Sequence, residues 1–221
     1  MLKEFRRKRT RLQTLTSVIF PIVLIGGWFY PPLGFFILLC MVGAIGLAMF
    51  KGRTWCDWMC PRGSFYDVFL KRFSRNISIP GYFKKKWFRA MIFSLLITAL
   101  GIQVYIAWGN TEELGMAFLR VLTITTTAGI VLGAVFQERA WCHICPMGTI
   151  SNWMSEGKNP LHVADHCKSC KLCTKACPMQ LKPYEHKDGI MTHGDCLKCT
   201  SCIAACPANA LGFEKEIRKA A

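Results

Sequence analysis

Cys167-Lys-Ser-Cys170-Lys-Leu-Cys173-Thr-Lys-Ala-Cys177-Pro178 and Cys196-Leu-Lys-Cys199-Thr-Ser-Cys202-Ile-Ala-Ala-Cys206-Pro207 are the two stretches that decide the C-terminal fold. An iron–sulfur cubane needs one thiolate per iron, and three cysteines spaced by two residues let one short loop wrap three of its corners. The prolines close each run and turn the chain away. Paired CxxC knuckles of a zinc site would leave half of these thiols idle.

The spacing is that of a bacterial ferredoxin with two 4Fe-4S clusters, in which the fourth cysteine of each ladder serves the other cluster. The resemblance implies one cluster on Cys167, Cys170, Cys173 and Cys206, and a second on Cys196, Cys199, Cys202 and Cys177. Residues 165–221 are therefore expected to form an α+β ferredoxin domain, with residues 151–164 as the linker before it. Asn152, Gly157, Asn159 and Pro160 give that interval its loop character.

Upstream, the chain is unlike a soluble ferredoxin. Of 221 residues, 52% are hydrophobic, and the mean hydropathy is +0.27. Apolar stretches near 13–30, 33–50, 88–108 and 116–136 approach the length that crosses a hydrocarbon core of roughly 30 Å. Tyr30-Pro31-Pro32 joins the first pair, and the polar Gly109 to Glu113 joins the second. The expected architecture is a mixed one: a four-helix transmembrane bundle of two hairpins over residues 1–150, followed by the ferredoxin domain.

Six Lys or Arg precede the first stretch, ten lie between Lys51 and Arg89, eleven follow the fourth, and none lies in either hairpin tip. Positive loops stay on the cytoplasmic side. Both termini and the ferredoxin domain are thus expected in the cytoplasm, on the inner face of the plasma membrane, where reduced thiols persist. The basic run from Lys3 to Arg11 lacks a small-residue cleavage site and reads as a solvated, topogenic anchor. The formal charge of +15 overstates the folded charge, since each cluster core of about +2 comes with thiolates totalling about −4. Basic residues flank apolar spans, which points to anionic lipid and not to nucleic acid.

An internal repeat follows the second and fourth stretches. Arg53-Thr-Trp55-Cys56-Asp-Trp-Met-Cys60-Pro61-Arg-Gly63 stands against Arg139-Ala-Trp141-Cys142-His-Ile-Cys145-Pro146-Met-Gly148, one residue shorter between the cysteines. The repeat predicts a pseudo-two-fold axis normal to the membrane that brings Cys56, Cys60, Cys142 and Cys145 together. Such a group can hold a third 4Fe-4S cluster, stand as bare structural or assembly thiols, or bind zinc. His143 is an alternative ligand there. Trp55, Trp58 and Trp141 read as interfacial belt residues, and Arg53 and Arg139 either snorkel or lie beside an anionic group.

These repeats, the four spans and the ladders together resemble the NapH-type membrane-bound ferredoxins, related to the NosR/MauN modules. The resemblance implies a quinol-linked electron-transfer subunit working with other subunits of a membrane redox complex. All five histidines lie beyond residue 142, so haem b held by two helical histidines is excluded within this chain. No carboxylate falls within the expected spans, which removes a self-contained ion pathway. Neither a phosphate-cradling loop nor a dinucleotide fingerprint occurs. Arg120, Gln103 and Tyr105, at similar outer depth, are the candidate quinone contacts; their hydrogen-bond donors suit quinone carbonyls. Cys40 reads as a packing residue. A relay of single electrons, with no substrate bond made or broken, is the expected function. A maturation factor for another metalloenzyme and an iron–sulfur redox sensor are the competing classes.

Overall fold

The computed structural model describes residues 2–75 and 77–213. It is mostly helical. Helix α1 runs over Leu2–Phe29, and a 3-10 turn at Pro31–Phe35 leads into α2, Phe36–Lys51. Two short helices follow, α3 at Thr54–Trp58 and α4 at Pro61–Phe69. Helices α5, Lys86–Ile106, and α6, Thr111–Val135, complete the long set, and α7 covers Pro146–Ser155.

Among the described residues, four helical segments are long and apolar enough to cross a membrane: Arg7–Phe29, Pro31–Lys51, Lys86–Ile106 and Thr111–Val135. Their outward positions are apolar, as a lipid-facing surface requires: Ile22, Leu39, Val42, Leu95, Ile102 and Ile124 are all exposed. Close helix approach depends on small residues. Gly34 lies against the backbone carbonyl of Gly115 with no room for a Cβ, so the 3-10 turn seats directly on α6.

Helix α1 begins well before residue 13, because its basic run is not simply solvated. Arg9 donates to both carboxylate oxygens of Asp57, at 2.6 and 2.7 Å, and Gln13 donates to the Asp57 carbonyl and to Asp67. Those bonds hold α1 along α4.

The C-terminal unit carries a three-stranded antiparallel sheet of order β2-β1-β3: β1 Leu161–Val163, β2 Gly189–Met191 and β3 Leu211–Phe213. Leu161 pairs with Met191 on one side and with Phe213 on the other. Helices α8, Leu172–Lys175, and α9, Ser201–Ala204, each follow the first two cysteines of a ladder. The interval 151–164, expected as a linker, instead contains the end of α7 and all of β1. Leu161 and Val163 alternate with His162 and bury themselves in the sheet's core, while Gly157 and Asn159 at positive φ make the turn before it.

Candidate iron–sulfur sites

The two repeats build similar turns. In the first, Cys60 N donates to Trp55 O at 3.0 Å; in the second, Cys145 N donates to Trp141 O at 2.9 Å. Each closing cysteine then starts a helix whose first residue is proline, Pro61 of α4 and Pro146 of α7, where a missing N–H costs nothing. The missing residue of the second repeat is absorbed by a tighter 3-10 turn at Ala140–His143 in place of the α-helical turn at Thr54–Trp58.

Cys56, Cys60, Cys142 and Cys145 line one cavity of about 190 Å³, which continues between apolar side chains of α2, α5 and α6. Burial pushes the Cys60 and Cys142 thiols up to about 12, with neighbouring cysteines of the group adding to the shift. Four clustered thiolates repel one another unless a cationic core lies among them. Among the described residues, no three His, Cys, Asp or Glu side chains converge on a single ion. Four cysteines walling one cavity are the donor set that an all-thiolate site uses.

Two arginines are exchanged between the repeats. Arg53 Nη2 donates to Cys142 O at 2.9 Å, and Arg139 Nη1 donates to Cys56 O at 2.7 Å. Both are buried, at 1% and 0% exposure, and neither snorkels. Each passes over a glycine. A Cβ on Gly148 would meet Cys142 O at 2.7 Å and Arg53 Nη2 at 2.8 Å; on Gly63 it would meet Cys56 O at 3.0 Å and Arg139 Nη1 at 3.4 Å.

Carboxylates neutralise these cations. Asp195 accepts from Arg53 Nη1 at 2.6 Å, from Arg89 Nη1 at 2.9 Å and from Asn152 at 2.8 Å. Burial opposes ionisation of Asp195, but the Arg89 hydrogen bond and the Arg53 charge outweigh it and hold the carboxyl below its usual range. Arg139 pairs with Asp67 through Nε at 2.7 Å and lies 3.5 Å from Asp57. Arg62 differs. Its Nη1 donates to the Thr125 hydroxyl at 2.9 Å, its Nη2 to Cys145 Sγ at 3.2 Å, and its guanidinium carbon stands 5.4 Å from the centre of the Trp141 ring.

In the ladders, Cys173 and Cys196 are buried in the sheet's core, with Cys167, Cys177, Cys199, Cys202 and Cys206 packed against it; Cys170 is exposed. Ser169 and Lys171 in one ladder, Lys198 and Thr200 in the other, take positive φ and curl the chain around each cysteine loop. A second, smaller cavity is lined by Cys177, Cys196, Cys199 and Cys202. Cys56 and Cys142 of the repeats pack against this same core.

Tyr105 is 82% exposed, Arg120 is half-exposed and 3.7 Å from Glu113, and Gln103 sits near the end of α5 with a buried Oε1 that has no partner. None of the three lines the large cavity. His143 also stays outside it: Nδ1 lies 3.4 Å from Arg89 and 3.8 Å from Asp195, and burial pushes the imidazole down to about 3. Trp141 is buried beneath Arg62, and half-buried Trp55 packs on Gly43. Cys40 lines the cavity. Sequence reasoning missed Asp57, Asp67, Arg89 and Asp195. The available signal was their scarcity: a chain with 28 basic and 13 acidic residues places one Asp directly before Cys196 and two inside its most basic loop.

Comparison with known proteins agrees with this chemistry. The 4Fe-4S binding domain model matches residues 33–80 and 119–163, and the 4Fe-4S dicluster domain model matches residues 166–211. The chain thus carries 4Fe-4S ferredoxin-type domains. It is distantly homologous to ferredoxin-type electron transport proteins. The methylamine utilization ferredoxin-type protein MauN of Methylobacillus flagellatus is 28% identical over 155 residues, covering 62% of this chain and 54% of that protein. The putative electron transport protein YccM of Escherichia coli is 24% identical over 166 residues, 65% and 46% of the two chains. An uncharacterized protein of Methanocaldococcus jannaschii is 26% identical over 157 residues, 68% and 61%. The chain therefore aligns with about half to two thirds of each of these relatives. No solved structure matches it.

Proposed function

We propose that this chain is a membrane-anchored, NapH-type iron–sulfur subunit. It relays single electrons between a quinone/quinol pool or a membrane-surface donor and a partner redox complex. The observation that carries the reading is the cavity walled by four cysteines of two separate repeats, whose Cys56 and Cys142 pack on the ladder core. On this reading Cys56, Cys60, Cys142 and Cys145 hold a third 4Fe-4S cluster. Cys177, Cys196, Cys199 and Cys202 hold the adjacent ladder cluster, and Cys167, Cys170, Cys173 and Cys206 hold the outer one. A 4Fe-4S cluster supplies reversible one-electron exchange. The chain's own residues fix the spacing: Arg53 and Arg89 clamp Asp195, and with it Cys196, onto the repeats.

The membrane unit is read as two hairpins, each followed by one cysteine repeat, about a pseudo-two-fold axis. The reciprocal arginine bonds and the paired matches of one domain model support this. The basic loops favour the cysteine sites on the cytoplasmic side of the plasma membrane. The apolar walls of the cavity, and not the scattered Arg120, Gln103 and Tyr105, give a quinone ring its nearest approach to the four thiols.

Iron and acid-labile sulfide per anaerobically purified chain test the reading. Wild type is expected to hold about twelve irons, and a variant with Cys56, Cys60, Cys142 and Cys145 changed to Ser about eight. About eight in both removes the third cluster and with it the continuous relay.

A further inference from the structure

Where the repeats place Arg62 and Met147 at matching positions, both side chains line the cavity, yet only one is charged. Among the described residues, four of the five guanidiniums around the repeats are answered by carboxylates: Arg9 by Asp57, Arg53 and Arg89 by Asp195, Arg139 by Asp67. The partners of Arg62 are a hydroxyl, a sulfur and a ring face. Thr125 donates its own proton to Val121 O at 2.8 Å, which leaves its lone pairs for Arg62 and pins the guanidinium. An uncompensated cation held in a low-dielectric wall is stable opposite negative charge. An all-thiolate 4Fe-4S site is anionic, and it becomes more so on reduction.

We propose, resting on the four-cysteine cluster above, that Arg62 is the positioning residue that sets the reduction potential of that site. Its N–H bond to Cys145 Sγ and its fixed charge stabilise the reduced form. Reduction adds one electron from an external donor and breaks no bond, so the site gains one unit of negative charge beside a guanidinium that no described carboxylate answers. Hydrogen bonds to sulfur and nearby positive charge raise a cluster's potential. The cavity of Cys177, Cys196, Cys199 and Cys202 has no Arg or Lys in its lining; Arg9 and Lys198 act on Cys199 and Cys196 from outside it, and Cys177 Sγ accepts backbone N–H groups, from Leu181 at 3.4 Å and from Met179, and none from a guanidinium among the described residues. The two neighbouring sites are thereby set apart, with the extra electron favoured at the membrane-side one.

The test is a mediated redox titration of the full chain in detergent, reduced with dithionite and followed by EPR, for wild type, Arg62→Met and Arg62→Lys. Arg62→Met copies the residue of the second repeat. It is expected to lower the reduced-to-oxidised ratio of one cluster at least tenfold at the wild-type midpoint, a fall of about 59 mV, while the ladder clusters keep their midpoints. Arg62→Lys, which keeps charge but not the fork, is expected to fall between. Twelve irons with an unmoved midpoint in Arg62→Met overturns the role. If Arg62→Met loses four irons, Arg62→Lys decides. A midpoint below wild type there supports the role, and a wild-type midpoint or the same iron loss overturns it. Eight irons in the wild type overturns the underlying cluster instead.

Discussion

The ladder cysteines and the repeat cysteines solve the same coordination problem in opposite ways. Each ladder is local: three of its cysteines lie within seven residues, curled by residues at positive φ and set against an apolar core of Leu161, Val163, Met191 and Phe213. The repeat site is assembled from afar. Arg53 reaches a carbonyl 89 residues away, Arg139 one 83 residues away, and Asp195 joins the arrangement across 142 residues. In the first case geometry is written into the loop, and in the second it is held by buried charge. Buried charge is sensitive to the loss of one partner in a way that an apolar core is not.

That contrast breaks first at Asp195. Asp195→Ala leaves Arg53 and Arg89 buried and unpaired, and is expected to destabilise the junction by about 3–5 kcal/mol. Denaturant unfolding in detergent, with iron retention alongside, measures it; wild-type stability would mean the charges do not hold the junction.

Next come the two glycines beneath the exchanged arginines, which sharpen the comparison between the repeats themselves. Gly148→Ala drives a Cβ into Cys142 O and Arg53 at contacts below 3 Å, and is expected to cost about 1–3 kcal/mol as local overpacking. Gly63→Ala, with looser contacts, is expected to cost less. The order of the two unfolding midpoints checks the crossed arginine geometry, and a reversed order argues against it.

Smallest is Arg120→Ala. Its pairing with Glu113 is half-exposed on both sides, and such pairs contribute little. Unfolding and the rate of cluster reduction by a quinol analogue are expected to match wild type. A loss of quinol-driven reduction with normal cluster content would return Arg120 to the quinone site.

What the sequence made legible follows the same division. The ladders, the apolar lengths and the duplicated Trp-Cys-Pro-Gly pattern are local signals, and they led to ferredoxin-type domains, four long apolar helices and the cysteines that share the large cavity. Strand β1 was hidden because three residues are too few to display an alternation. Arg62 went unremarked within the repeat, since its meaning depends on Thr125 and Cys145, far along the chain. The outer trio of Arg120, Gln103 and Tyr105 was read from position along the expected spans, and none of the three lines the large cavity.

The central claim is a continuous relay from the membrane repeats into the ferredoxin unit, and EPR of the fully reduced chain tests it most directly. With Cys56 and Cys142 packed on the ladder core, the account predicts spin–spin coupling between the repeat cluster and the ladder cluster beside it. That coupling is abolished in the variant with Cys56, Cys60, Cys142 and Cys145 changed to Ser, while both ladder clusters remain. Identical spectra from wild type and variant would contradict the relay.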